Sequence, residues 1–168
     1  MGGRASRAIH RALARHREAR SVSDELVHQA DLLATCAAIV GAPLPDNAGE
    51  DSFSLLPLLR GGSEAVRENA VSQSSGGTLA LRHGDWKLIF GNGSGGWGKG
   101  AVDTPGQLYH LRDDLGETKN RYAEQPARVA EMTALMEKII TEGRSTPGPG
   151  QHNDVPVRDR FLPKPRKG

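Results

Sequence analysis

The chain has 168 residues, enough for one domain of ordinary size, and only 4% of them are aromatic, so its core has to be small and aliphatic. The single cysteine excludes an internal disulfide, and without an apolar run of about 18 residues no membrane-spanning segment is expected. Glycine and proline number 21 and 10, below the share typical of wholly disordered chains.

Charge is distributed unevenly along the chain. Residues 1–20 carry a net charge of +5 and residues 151–168 carry +3, so that residues 21–150 carry −6 within a total of +2. Basic ends on an acidic body are typical of solvated extensions, and the sequence therefore predicts no nucleic-acid partner. The first twenty residues lack a continuous apolar stretch, so we expect no secretory signal peptide there.

The first convincing helical pattern spans residues 24–40. Ser21 followed by Asp24 resembles a helix start, and Gly41 with Pro43 predicts its end. One buried face is predicted from residues at helical spacing, which are Leu26, Ala30, Leu33, Ala37 and Val40. Residues 45–51 form a turn-rich loop, and the apolar stretch 54–59 predicts a short helical turn because Pro57 interrupts it.

Four short strands and a helix follow. The strands are predicted at residues 70–74, 78–82, 85–90 and 107–111, with hairpin turns at Gly76-Gly77 and at His83-Gly84. A helix begins at Pro126 and ends before Gly143, with an apolar face made of Val129, Met132, Leu135, Met136, Ile139 and Ile140. The predicted fold class is α+β: a small antiparallel sheet of about four strands packed by the C-terminal helix.

Several motifs occur in a recognisable order. They are DLLAT at 31–35, GAPLP at 41–45, SLLPLLRG at 54–61, GDWKLI at 84–89 and QLYHLRDDLGETKN at 107–120. Together they resemble the C-terminal part of the formylglycine-dependent sulfatases of the arylsulfatase type, within the alkaline-phosphatase-like superfamily. The resemblance covers residues 21–149 and implies a hydrolase of sulfuric esters.

The resemblance also implies a domain organisation. Residues 1–20 would be a basic extension that is non-native or disordered. Residues 21–62 would be a helix and loop left over from the preceding large α/β sulfatase domain, residues 63–146 the C-terminal subdomain, and residues 147–168 a flexible tail. Without the large domain, the apolar face of the first helix would be left in water, so we expect self-association through it.

The family's catalytic centre precedes the region of resemblance. A sulfatase uses formylglycine, made from a Cys or Ser in a Cys-x-Pro-x-Arg type of context, together with a divalent cation, calcium. Cys36 stands in Cys-Ala-Ala-Ile-Val instead and is expected to be a buried small hydrophobe. Asp46-Asn47 follows Pro45 and predicts a turn rather than a calcium site. We therefore expect no catalytic residue, no metal ligand and no bound cofactor in this chain.

Two further features have roles implied by the resemblance. Asp113-Asp114 would form an acidic turn after the last strand, with Glu117 and Asn120 in the same network. In the family, loops of this subdomain form part of the rim above the catalytic pocket. The glycine-rich loop at 91–105 offers three substrate-rim candidates, Asn92, Trp97 and Lys99, with the tryptophan suited to stacking on a sugar or aryl ring and the lysine to a sulfate. A loop tip with an incidental tryptophan remains the alternative.

The resulting functional hypothesis is a sulfatase segment that is inactive alone, whose parent cleaves sulfate esters of aryl or carbohydrate substrates. The alternative is a non-catalytic module that binds a glycan or a protein. Sulfated glycans or aryl sulfates would bind through the missing domain, and we expect neither a nucleic acid nor a membrane as a partner. The family is usually periplasmic, secreted or lysosomal.

The first twenty residues have a second interpretation. Synonymous codons for SRAIHRALARHREAR at 6–20, read one nucleotide later, spell PVPFIARWPGTVKPG, which resembles a sulfatase segment that precedes residue 21. An out-of-frame translation up to about Arg20 is therefore one hypothesis, and a native basic extension is the other.

Overall fold

The computed structural model describes residues 22–93, 102–155 and 157. The expectations for residues 1–20, for Trp97 and for Lys99 lie outside these residues. The chain divides into two compact units, Met1–Glu68 and Asn69–Gly168. Each unit is described separately below.

The helix of the first unit begins later than the sequence pattern predicts. A 3-10 turn at Gln29–Asp31 leads into α1, Leu32–Val40, which ends at Gly41 with a left-handed φ of 71°. The prediction of a start at Asp24 was wrong because the cap is His28. Its Nδ1 accepts a hydrogen bond from the Ala30 amide, while the Asp31 carboxylate accepts one from the His28 amide. The predicted short helical turn is confirmed as α2, Leu56–Leu59.

The buried side of α1 is polar. Asp31 and Thr35 are fully buried, whereas the predicted apolar face is exposed at Leu33 and Val40. Thr35 Oγ1 donates to the Asp31 carbonyl and accepts from the Leu55 amide. These bonds anchor α1 to the segment before α2 through polar atoms, which is why the apolar residues face outward. Cys36 is also exposed, so the expectation that it is buried was wrong.

A buried ion pair completes this unit. Arg67 donates to Asp31 Oδ1 over 2.6 Å, and both side chains are almost wholly buried. The same carboxylate oxygen accepts from the Phe53 amide at 3.0 Å, and the Arg67 guanidinium lies over the Phe53 ring. The Ser52 hydroxyl donates to the Ala30 carbonyl and accepts from the Ala34 amide. The DLLAT motif is thus explained by its two polar residues, which join segments about twenty or more residues apart in sequence.

The second unit is a four-stranded antiparallel meander. Its strands are β1 (Asn69–Gln73), β2 (Leu79–His83), β3 (Trp86–Ile89) and β4 (Gln107–His110), in the order β1-β2-β3-β4. Gly77 and Gly84 adopt positive φ of 87° and 56° in the two hairpins, as the turn pattern predicts. The α+β prediction and its four strands are confirmed, with each strand end within one residue of its expected position.

The core of this unit lies between one face of the sheet and α3, Pro126–Glu142. Leu81, Leu88 and Leu108 are side by side across three strands and are at most 1% exposed. Met132 and Met136 of α3 pack against them, as the sequence predicts. Gly143 ends the helix at φ 63°, where a Cβ would collide with the Gln151 carbonyl.

The segment after α3 has no regular secondary structure in its described part. The Gln151 amide donates to the Glu142 carbonyl, and the Asn153 side chain donates to the Ile140 carbonyl. Val157 packs against the core. The flexibility expected of residues 147–168 stays a prediction. Within the described ranges, no helix has both the length and the apolar character needed to cross a membrane.

Candidate functional site

The loop between β3 and β4 is tied together at its base. The Gln107 side chain donates both amide hydrogens, to the carbonyls of Gly91 at 2.9 Å and Gly93 at 3.0 Å. Its Oε1 accepts a hydrogen bond from the Tyr109 hydroxyl at 2.8 Å. The Val102 amide crosses the loop and donates to the Asn92 carbonyl at 2.7 Å. We call residues 91–93 and 102, with these bonds, the loop neck.

Close packing leaves little room around the two ends of this loop. A Cβ on Gly91 would lie 2.9 Å from Thr78 Cγ2. A Cβ on Gly106 would lie 2.6 Å from the Tyr122 ring and 2.9 Å from the Ile89 carbonyl oxygen. Glycine is therefore required by space at both positions. Of the three rim candidates, Asn92 is exposed at the loop neck, and Trp97 and Lys99 fall in the part that is not described.

The segment after β4 forms the polar network that the sequence predicts. Asp114 accepts hydrogen bonds from the amides of Thr118 and Lys119 and from the Thr118 hydroxyl. Asn120 Oδ1 accepts from the Leu108 and Tyr122 amides, and its Nδ2 donates to Thr104. Asn120 therefore links the last strand to the C-terminal base of the same loop.

Glu117 adds an ion pair to this network. Its carboxylate lies 2.6 Å from Lys87 Nζ on β3, and its backbone has a positive φ of 54°. A left-handed conformation is costly for a residue other than glycine, so the surrounding bonds hold it in place. Glu117 thereby fastens the segment after β4 to the neighbouring strand.

Two groups near the loop have shifted acidities. Burial raises the pKa of Tyr109, and the negative charges of Glu117 and Asp114 raise it further. The backbone amides of Thr118 and Lys119 hold the pKa of Asp114 below its ordinary value of 3.8. Tyr109 therefore stays protonated as a donor to Gln107, and Asp114 stays ionised as an acceptor, over the neutral range of pH.

An aromatic cluster lies at the other end of the strands. Trp86 and His110 are cross-strand partners whose rings pack edge-on with their centroids 4.6 Å apart. The Arg128 guanidinium lies 5.7 Å from the Trp86 ring centroid. Asp113 Oδ2 is 2.7 Å from His110 Nδ1. No sequence pattern predicts the contact between Arg128 and Trp86, because 42 residues separate them and the packing of α3 joins them.

The described residues do not fit the calcium ion or the formylglycine that the sequence resemblance implies. In the part of the chain that is described, no three His, Cys, Asp or Glu side chains come close enough to hold a metal ion. Asp46-Asn47 lies in a turn closed by the bond from the Ala48 amide to the Pro45 carbonyl, as predicted. Cys36 sits on a regular helix in a sequence context that differs from that of a formylglycine precursor.

Comparison with known proteins gives the class. The chain is 35% identical over 121 residues to N-acetylgalactosamine-6-O-sulfatase of Bacteroides thetaiotaomicron, a match covering 69% of this chain and 24% of that protein. It is 34% identical over 116 residues to human arylsulfatase A, covering 59% of this chain and 23% of that protein. No protein-family model matches the chain.

Solved structures agree with these relatives. A protein solved in a study of how Bacteroides thetaiotaomicron metabolises multiple glycosaminoglycans matches 70% of this chain and 25% of its own, with 31% identity and a TM-score of 0.59. A structure in complex with its substrate D-glucosamine-2-N,6-O-disulfate shares the fold at a TM-score of 0.57 and 21% identity. The chain is thus a relative of the sulfatases and spans about a quarter of the length of the curated proteins it matches. This partial coverage is consistent with the C-terminal sulfatase segment that the motifs indicate.

Proposed function

We propose that this chain serves as the C-terminal segment of a sulfatase that hydrolyses sulfate esters on amino sugars. The observation that carries the proposal is the 35% identity over 121 residues to N-acetylgalactosamine-6-O-sulfatase. The fold similarity to a protein from glycosaminoglycan metabolism supports the same substrate class. The chain's contribution would be the sheet, α3 and part of the rim around the substrate.

The described residues favour a supporting role in the sulfatase rather than a part in the chemical step. Hydrolysis of a sulfate ester needs a nucleophile and a positive centre that neutralises the sulfate. The described side chains form no metal-binding group. As a rim candidate, the exposed Asn92 amide would offer hydrogen-bond donors and an acceptor to a sugar hydroxyl or a sulfate oxygen. Trp97 and Lys99 remain rim candidates on the sequence argument alone. We expect the purified chain to leave sulfate esters intact.

A chimera tests the role as a sulfatase segment. In the Bacteroides N-acetylgalactosamine-6-O-sulfatase, the segment matched over 121 residues would be replaced by the corresponding segment of this chain. We expect the chimera to release sulfate from 6-O-sulfated N-acetylgalactosamine, and a control with the segment deleted to be inactive. A chimera that folds with native circular dichroism and releases no sulfate would overturn the proposal.

The purified chain tests whether the chemical step requires residues outside this segment. Purified chain is incubated with an aryl sulfate and with 6-O-sulfated N-acetylgalactosamine, each with and without calcium, and released sulfate is measured. No release is expected in any mixture. Hydrolysis that depends on calcium would place the chemistry in this chain. Calorimetric binding of the sulfated sugar without hydrolysis would support the alternative of a glycan-binding module.

A further inference from the structure

The Gln107 side chain makes three hydrogen bonds inside the protein and uses both of its donors. Its two amide hydrogens go to the carbonyls of Gly91 and Gly93, and its oxygen accepts from the Tyr109 hydroxyl. Both side chains belong to β4 residues that are at most 8% exposed. A buried amide with every hydrogen placed has one preferred orientation, because turning it over would direct its oxygen at two carbonyls.

Tyr109 supports that orientation. Its hydroxyl lies 2.8 Å from Gln107 Oε1 and donates to it, so the amide oxygen has a donor on the side away from the two loop carbonyls. Burial and the nearby carboxylates of Glu117 and Asp114 raise the pKa of this phenol, which keeps the donor protonated. The hydrogen bonds therefore form a chain from the Tyr109 hydroxyl through the Gln107 side-chain amide to the carbonyls of Gly91 and Gly93.

The bonds converge on the segment that carries the exposed Asn92. Its neighbours Gly91 and Gly93 are both held by Gln107, and its own carbonyl accepts from the Val102 amide. Thr78 closes the space beside Gly91. The backbone of Asn92 is thus fixed from both sides, while its side chain is left in solvent.

We propose that Gln107 is a positioning residue that holds the loop neck, with Tyr109 orienting its amide, so that the Asn92 side chain is presented at a fixed place to a sulfated sugar. The identity of that ligand rests on the proposed function. The positioning itself rests on the contacts of Gln107 and is measurable without any ligand.

Hydrogen exchange in the intact chain tests the positioning. Gln107→Glu keeps the size of the side chain and removes both donors. We expect the Val102 amide, which reports on the neck, to exchange about tenfold faster, as for a lost hydrogen bond to a buried acceptor. The amides of Leu81 and Leu88 in the core strands should keep their wild-type rates.

The chain offers a matched control. Gln73 is exposed on β1, and its side chain donates to the Gly77 carbonyl over a longer 3.4 Å. Gln73→Glu makes the same chemical change on the surface of the same sheet, and we expect the exchange rate of Val102 to be unchanged. Equal acceleration of Val102 in both variants would overturn the proposal.

The pH profile separates positioning from simple filling of space. In Gln107→Glu the carboxylate faces two carbonyls at neutral pH, but a protonated carboxyl can donate one hydrogen bond to one of them. After correction for intrinsic exchange, protection of Val102 should therefore return in part on acidification. Gln107→Ala, which has no donor at any pH, should show no recovery. Identical pH profiles for the two variants would mean that Gln107 only fills space.

A second variant keeps the test open if Gln107→Glu unfolds the sheet. Tyr109→Phe removes one hydroxyl and leaves the ring in place, and we expect faster exchange at Val102 by a smaller factor. Wild-type exchange in Tyr109→Phe would refute the orienting role.

In the active chimera, Gln107→Glu should raise KM more than it lowers kcat. Faster exchange at Val102 with an unchanged KM would support the positioning of the loop neck by Gln107 and refute the presentation of Asn92 to substrate. An inactive chimera would count against the proposed function alone.

Discussion

At the scale of single residues, the first unit depends on one buried charge. Asp31 accepts hydrogen bonds from the His28 and Phe53 amides and from Arg67, so the carboxylate caps a helix, binds a loop and neutralises a cation together. The pair is joined across 36 residues of sequence. Removal of one member of such a pair leaves the other charge buried without its counter-ion.

The first prediction follows from this arrangement. Asp31→Ala should lower the free energy of unfolding of the first unit by about 3–5 kcal/mol. Urea unfolding followed by hydrogen exchange of the α1 amides measures it within this unit. Asp24→Ala, at an exposed position, is the control and should change stability little. A loss of less than about 1 kcal/mol in Asp31→Ala would show that the pair is not a major source of stability.

The second prediction concerns acid. The pKa of Asp114 is lower in the folded chain than its ordinary value of 3.8, because the Thr118 and Lys119 amides donate to the ionised form. Its contribution to stability is therefore complete above that ordinary value and is lost as pH falls through the folded pKa. Asp114→Ala should flatten the fall of the urea midpoint in this acidic range. Thr118→Ala, which removes only the hydroxyl donor, should flatten it less, and an unchanged slope in Asp114→Ala would contradict the assignment.

At the scale of elements, the sheet was predictable and the start of α1 was not. The strands are short runs separated by turn residues, and glycines with positive φ mark both hairpins, so local sequence carries the information. Helix α3 is likewise marked by Pro126 at its start and Gly143 at its end. The 3-10 turn that leads into α1 is capped by His28 in place of a Ser or Thr, and a more ordinary candidate, Ser21, stands seven residues earlier.

Contacts between distant residues account for the rest of what the sequence did not predict. Neither the Asp31–Arg67 pair nor the placement of Arg128 over Trp86 follows from spacing, because each depends on how elements pack. The same holds for the bonds from Gln107 across 16 and 14 residues. The polar turn around Asp114 was expected from the sequence resemblance, and its donors lie only four and five residues further along the chain.

The third prediction tests the packing of α3. Met132 is fully buried in the core, and Met132→Ala should destabilise the second unit by about 2–5 kcal/mol through lost contacts and a cavity. Circular dichroism during urea unfolding measures it. Lys138→Ala on the outer side of the same helix is the control, since its side chain is 66% exposed. A similar, small effect for both variants would place α3 outside the cooperative core.

At the scale of the whole molecule, apolar side chains of the first unit remain in solvent. On and before α1 they are Val22, Val27, Leu32, Leu33, Ile39 and Val40. Val40 is 74% exposed and Leu33 51% exposed, and a group of such residues is a typical site of association.

The fourth prediction is that the purified chain self-associates through this face. Sedimentation velocity should show a concentration-dependent shift to larger species, and the double variant Leu33→Gln with Val40→Gln should reduce it. Leu115→Gln is the control, because Leu115 is 84% exposed but belongs to the second unit. A single monomeric species for the wild-type chain at high concentration would refute the prediction.

The strand order of the second unit has a consequence for how it folds. Each strand pairs with the strand next to it in the chain, and the hairpins that join β1 to β2 and β2 to β3 close over short stretches of sequence. Low contact order of this kind favours rapid folding, because little loop entropy is lost before a contact is gained. On the ribosome, β1 to β3 can pair as they emerge, whereas the apolar side of the sheet stays uncovered until α3 is synthesised. The nascent chain is therefore most exposed to aggregation in the interval between translation of β4 and translation of α3.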